Sequence, residues 1–116
     1  MTYFRAPALV ALTFLGLGGI AYAGPPAEPV ISLILKGHVF TPASFSVPQG
    51  VKVRINLTNL DGATEEFDSH DLKVEQLVTP HGRTSFVIGP LRPGTYTFMG
   101  EFHPDTAQGH IVVGEH

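Results

Sequence analysis

The stretch "TYTFMGEFHPDTAQGHIVV", residues 95 to 113, alternates, breaks and then alternates again. Tyr96 and Phe98 fall on one side of an extended chain and read as core, because successive strand side chains point to opposite faces. Gly100 permits close backbone approach, Pro104 and Gly109 bracket a loop, and HIVVG (110 to 114) resumes an apolar strand. Two strands joined by a loop that carries Glu101, His103 and Asp105 are thus the first unit read from the chain. Within GEFHPD the alternation gives those three side chains one direction, although Pro104 favours loop geometry and loosens that reading.

Working outward, VKVRINL (51 to 57) alternates strictly, with Val51, Val53, Ile55 and Leu57 on one face and Lys52, Arg54 and Asn56 on the other. Further strands are expected at VISLIL (30 to 35), HVF with SFSV (38 to 47), TEEFDS (64 to 69), LKVEQLV (72 to 78) and TSFVIG (84 to 89). Turn chemistry separates them at Pro48-Gln49-Gly50, Leu60-Asp61-Gly62, Pro80-His81-Gly82 and Arg92-Pro93-Gly94. No stretch after residue 24 holds a helical period for three turns. Seven or eight short strands at this spacing predict an all-β antiparallel sandwich.

Composition narrows the function. A chain of 116 residues allows one compact domain. Residues 1–23 read as a cleaved export signal: Arg5, an apolar run from Ala8 to Ile20 broken by Gly16, Gly18 and Gly19, and the small-x-small site Ala21-Tyr22-Ala23. An uncleaved membrane anchor is the weaker reading, because a spanning helix needs about 20 apolar residues. Residues 24–29, GPPAEP, read as a flexible lead-in, and residues 30–116 as the domain. The expected location is therefore outside the cytoplasm, and the periplasm if the resemblance given below holds. A net charge of −3 disfavours nucleic acid, whose phosphates require clustered Lys and Arg, and favours cations. The absence of cysteine excludes disulfides, thiol nucleophiles and zinc-thiolate sites. No serine lies in a Gly-x-Ser-x-Gly elbow, and no glycine-rich phosphate loop follows the export segment.

"FTPASFSVPQGVKVRINLTNLD" (40 to 61) and "LRPGTYTFMGEFHPDTAQGHIVV" (91 to 113) resemble the opening and closing segments of a cupredoxin, a Greek-key β-sandwich. The likeness spans residues 30 to 114. More narrowly, EEFDSHDLKVE, IGPLRPGTY and GEFHPDTAQG resemble the cysteine-free cupredoxin domains of bacterial periplasmic ferrous-iron uptake systems, with the EfeO-type cupredoxin domain a more distant relative. The resemblance implies iron or copper handling beside an inner-membrane iron permease and other periplasmic components of its system. It also implies that ferroxidase-type oxidation of the iron is open.

In the blue-copper pattern Tyr-x-Phe-x-Cys-x-x-His, Gly100 stands where the cysteine belongs and His103 keeps the histidine place. The downstream Met place falls near Ala107 or Gln108, and the upstream His place holds Glu65 or Glu66. A type-1 blue site requires the cysteine thiolate and is excluded. The remaining donors favour Fe, Mn, Zn or Cu(II), with Cu or Fe as the expected ion. The expected ligands are His103, Glu66, Asp68, Glu101, His70 and Asp105. Glu66, Asp68 and His70 share one strand parity and Phe67 the other, so a bulge or bend is expected near Ser69 to Asp71, where the inward face must switch. Each residue has a plainer role: an acidic solvated face for the strand carboxylates, a turn residue for Asp105, a surface residue for His70. His38 and His81 read as solvated loop histidines and Met99 as packing. A copper-only carrier and a metal-free β-sandwich interaction module remain the alternatives.

Overall fold

A computed structural model describes residues 28–114. The expected export signal, and all but Glu28 and Pro29 of the lead-in, lie outside the described residues. Among the described residues, nine strands form two packed sheets: β1 (Val30–Lys36), β2 (Val39–Thr41), β3 (Ser44–Pro48), β4 (Val53–Asn59), β5 (Glu65–Ser69), β6 (Val74–Val78), β7 (Arg83–Ile88), β8 (Gly94–Gly100) and β9 (Gln108–Gly114). One sheet runs β2-β1-β4-β7 and the other β3-β9-β8-β5-β6. The fold is the all-β, cupredoxin-like sandwich expected. The strand count exceeds the expected seven or eight because the chain divides around Pro42, which has no N–H to give a ladder, sending β2 and β3 into different sheets.

The sheets are mixed rather than wholly antiparallel. β1 runs parallel to β4 and β3 parallel to β9, while the remaining pairings are antiparallel. Alternation reads which face is buried but carries no information about partner direction. β4 buries Val53, Ile55, Leu57 and Asn59 and turns Arg54 and Asn56 outward. Val51 lies before the strand and is exposed.

Between the sheets, three phenylalanines fill the centre. Phe98 packs against Phe40 edge-on at 5.2 Å and against Phe67 nearly parallel at 4.8 Å. Leu33, Leu35, Ile55, Leu57 and Ile111 close around them, all but fully buried. Truncating one such ring costs about 3–5 kcal/mol in a packed core. The inward face at residues 69 to 74 switches through a four-residue hairpin turn between β5 and β6, so no bulge is needed. Among the described residues, no helix is long and apolar enough to cross a membrane.

Candidate metal centre

Glu65 opens β5 and, by strand parity, shares the inward face of Phe67 and Ser69; its side chain is 2% exposed. An ionised carboxylate taken from water costs several kcal/mol unless hydrogen bonds replace the lost hydration. Here they do. Oε1 accepts the backbone N–H groups of Glu66 at 2.9 Å and Phe102 at 2.8 Å, and Oε2 lies 2.6 Å from His103 Nδ1.

The glycine in the cysteine's place is explained by the same carboxylate. A Cβ on Gly100 would stand 2.7 Å from Glu65 Cδ and 2.7 Å from Ala107 Cβ, so no side chain fits while Glu65 points inward. The volume a thiolate would claim is filled from the neighbouring strand by an oxygen donor. The loop that follows is pinned by its own backbone: His103 N–H donates to Gly100 C=O at 3.0 Å, Ala107 N–H to His103 C=O at 2.9 Å, and Gly100 N–H to Ala107 C=O at 2.8 Å.

His103 presents its ring face to His38, with centroids 3.6 Å apart and planes 11° from parallel. His38 reaches this point from the β1–β2 hairpin. Gly37 and His38 have φ of +60° and +59°, the pair of left-handed residues a two-residue type I′ turn demands. Asp61, in the β4–β5 loop, receives both turn amides: Oδ1 accepts Gly37 N–H at 2.7 Å and Oδ2 accepts His38 N–H at 2.9 Å. These bonds, that to His38 foremost, hold the Asp61 carboxyl below the usual carboxylate range against the opposing effect of burial.

One donor atom each from His38, Glu65 and His103 lies within 4.8 Å of the others. Two imidazoles and one carboxylate are a borderline-to-hard donor set that suits Cu(II), Zn(II) and iron and leaves Cu(I) without the soft sulfur it prefers. His103 is the member of the expected ligand set found in this cluster. Glu66 and Asp68 lie on the opposite face of β5, half-buried, opposite Leu77 and Glu75 of β6. Glu66 is pushed up from its ordinary value by burial and then by Glu75, Asp68 and Glu101. Glu101 and Asp105 are exposed in the β8–β9 turns, and His70 is exposed in the β5–β6 turn at the far end of the strand.

The sequence left Glu65 and Glu66 as alternatives at the upstream His place and Glu66 entered the expected ligand set, while His38 and Asp61 did not enter it. A signal for Glu65 existed, because placing Phe67 in the core places Glu65 on the same face. For His38 there was none: hairpin register and a side chain 23 residues away bring it to the centre.

A family model described as a cupredoxin-like domain matches residues 8–113, and the chain belongs to that family. An uncharacterized protein of Rickettsia prowazekii (strain Madrid E) is 42% identical over 85 residues, covering 73% of this chain and 68% of that one. Among solved structures, the Cu(I)-bound metal-binding domain of a Cu(I)-exporting P-type ATPase of Streptococcus pneumoniae D39 superposes with a TM-score of 0.66 at 14% identity, covering 74% of this chain and 85% of that one. Auracyanin A, a blue copper protein of Chloroflexus aurantiacus, superposes with a TM-score of 0.66 at 15% identity, covering 76% of this chain and 100% of that one. At such identities the likeness concerns the fold. A blue-copper centre does not fit the residues present, because the chain has no cysteine and Glu65 fills the space beside Gly100.

Proposed function

We propose that this chain is an exported metal-handling protein that takes up iron on His38, Glu65 and His103 and delivers it to an inner-membrane permease. The observation that carries the reading is the convergence of those three donors, from three separate segments, within 4.8 Å. The hydrogen bonds to Glu65 offset its desolvation and fix the carboxylate beside two imidazoles, which is the preorganisation a cation site needs. Anionic oxygen donors stabilise Fe(III) more than Fe(II), which lowers the reduction potential of bound iron and favours its oxidation when an acceptor such as dioxygen is present. Removal of residues 1–23 on export, periplasmic location and hand-over to a permease belong to the same proposal, on the motif resemblance described above.

A second reading, a copper carrier, is favoured by the copper-binding proteins that share the fold. Anaerobic Fe(II) titration of the exported form, followed by air exposure, separates the two. About one equivalent bound, Fe(III) formed faster than in buffer, and loss of both in His103→Ala support iron handling. Cu(II) binding through His103 with Fe(II) ignored supports the carrier. If neither ion is retained, the metal reading falls and an interaction module replaces it.

A further inference from the structure

The identity of the three donors does not explain how a histidine in a two-residue hairpin turn is held in place. A left-handed backbone is uncommon for a residue with a Cβ, yet His38 adopts one, and its side chain is 41% exposed with the ring resting on that of His103. Among the described residues, the side chain bonded to its turn amides is that of Asp61, which takes both N–H groups. Asp61 is in turn fixed to the sandwich. Its own N–H donates to Asn59 Oδ1 at 2.9 Å, and its C=O receives His81 N–H at 3.0 Å. Asn59 is fully buried at the end of β4 and donates to Ala63 C=O at 2.8 Å and Thr79 C=O at 3.1 Å.

The same carboxylate faces the ring it positions. Asp61 Oδ2 is 3.5 Å from His38 Nδ1, a separation too long for a hydrogen bond but close enough to favour the proton on that nitrogen. With the proton on Nδ1, Nε2 keeps its lone pair for a metal, as when a ligating imidazole is oriented by a carboxylate behind it.

Resting on the metal-site reading above, we propose that Asp61 is the positioning residue for His38: it latches the turn, selects the ring tautomer and thereby supplies the second imidazole. Asp61 touches no metal and acts only through His38.

The test uses Cu(II) alone as the probe, with the wild-type chain, Asp61→Ala, His38→Ala, the double variant and His103→Ala. Competition titration gives affinity, and electron spin-echo spectroscopy counts imidazoles at one equivalent. Asp61→Ala is expected to weaken Cu(II) binding ~10- to 100-fold, the usual range for an outer partner of a ligand, and to lower the imidazole count from two to one. In the His38→Ala background the same change should cost nothing further. Wild-type affinity within about threefold in Asp61→Ala, or an equal loss in both backgrounds, overturns the proposal, since non-interacting sites add. Undiminished binding in His103→Ala instead overturns the underlying site. Should Asp61→Ala fail to fold, Asp61→Asn, which keeps the shape and one acceptor, enters the same cycle.

Discussion

Both faces of β5 carry carboxylates, and one residue of strand parity separates them. On the inner side, Glu65 is buried with two backbone donors and His103 satisfying it. On the outer side, Glu66 and Asp68 stand near Glu75 and Glu101, with Asp68 directly opposite Glu75 in the ladder. Like charges so placed repel. The inner carboxylate has what a ligand needs: fixed geometry, little competing water and neighbouring imidazoles. The outer group has only negative charge. Counting acidic residues therefore identifies the strand that carries the candidate site, whereas the direction of each side chain identifies the candidate ligand.

The sharpest way to break the comparison is to remove one carboxylate from each side. Glu65→Ala should abolish one-equivalent Cu(II) or Fe(II) binding in a titration, whereas Glu66→Ala should leave the affinity within about a factor of three, as for a residue that shares no partner with the metal. Equal losses would mean that the outer face takes part in binding.

Next in size is Gly100→Ala. Its methyl group must displace Glu65 or Ala107 from contacts of 2.7 Å, and such overpacking costs about 1–3 kcal/mol, readable from the urea midpoint. Metal affinity should fall with stability, because the group that moves is the proposed ligand.

A smaller effect comes from pH. The lowered Asp61 and Asp71 carboxyls, the latter held down by the backbone N–H and hydroxyl of Thr97, contribute stability present above their unfolded value of 3.8 and lost as pH falls through their folded values. Glu66 has the opposite sign. Because its folded pKa is raised, its ionised form is a burden above that pKa and none below the unfolded value of 4.5. Glu66→Gln should therefore raise the unfolding midpoint at pH 7, with the advantage gone below 4.5; a gain that persists in acid would point to packing instead.

The smallest effect is Asp68→Lys, which makes an opposite-charge pair with Glu75 and should stabilise the sheet by about 0.2–1 kcal/mol without altering metal binding.

Much of the fold was readable from the chain because Val53, Ile55 and Leu57, like Tyr96 and Phe98, follow a period of two, and a half-buried strand enforces that period. Partner direction was not, so the parallel β1–β4 and β3–β9 pairings emerge only from three-dimensional closure of the sandwich. At the site, His103 was readable from its place after Gly100. Between Glu65 and Glu66, parity with Asp68 and His70 favoured Glu66, whereas the structure buries Glu65, a rare place for a charged side chain tolerated here by partners drawn from the β8–β9 loop. His38 depends on a latch from Asp61, a contact with no local signature.

The exchange of donors between Gly100 and Glu65 also changes what the site can withstand. A cysteine ligand can be carried through sulfenic and sulfinic to sulfonic acid, the later stages without return. A carboxylate has no such sequence of damage. The proposed site therefore holds no ligand that peroxide can carry along this sequence, and Glu65 can face an ion that generates oxidants without being lost by that route.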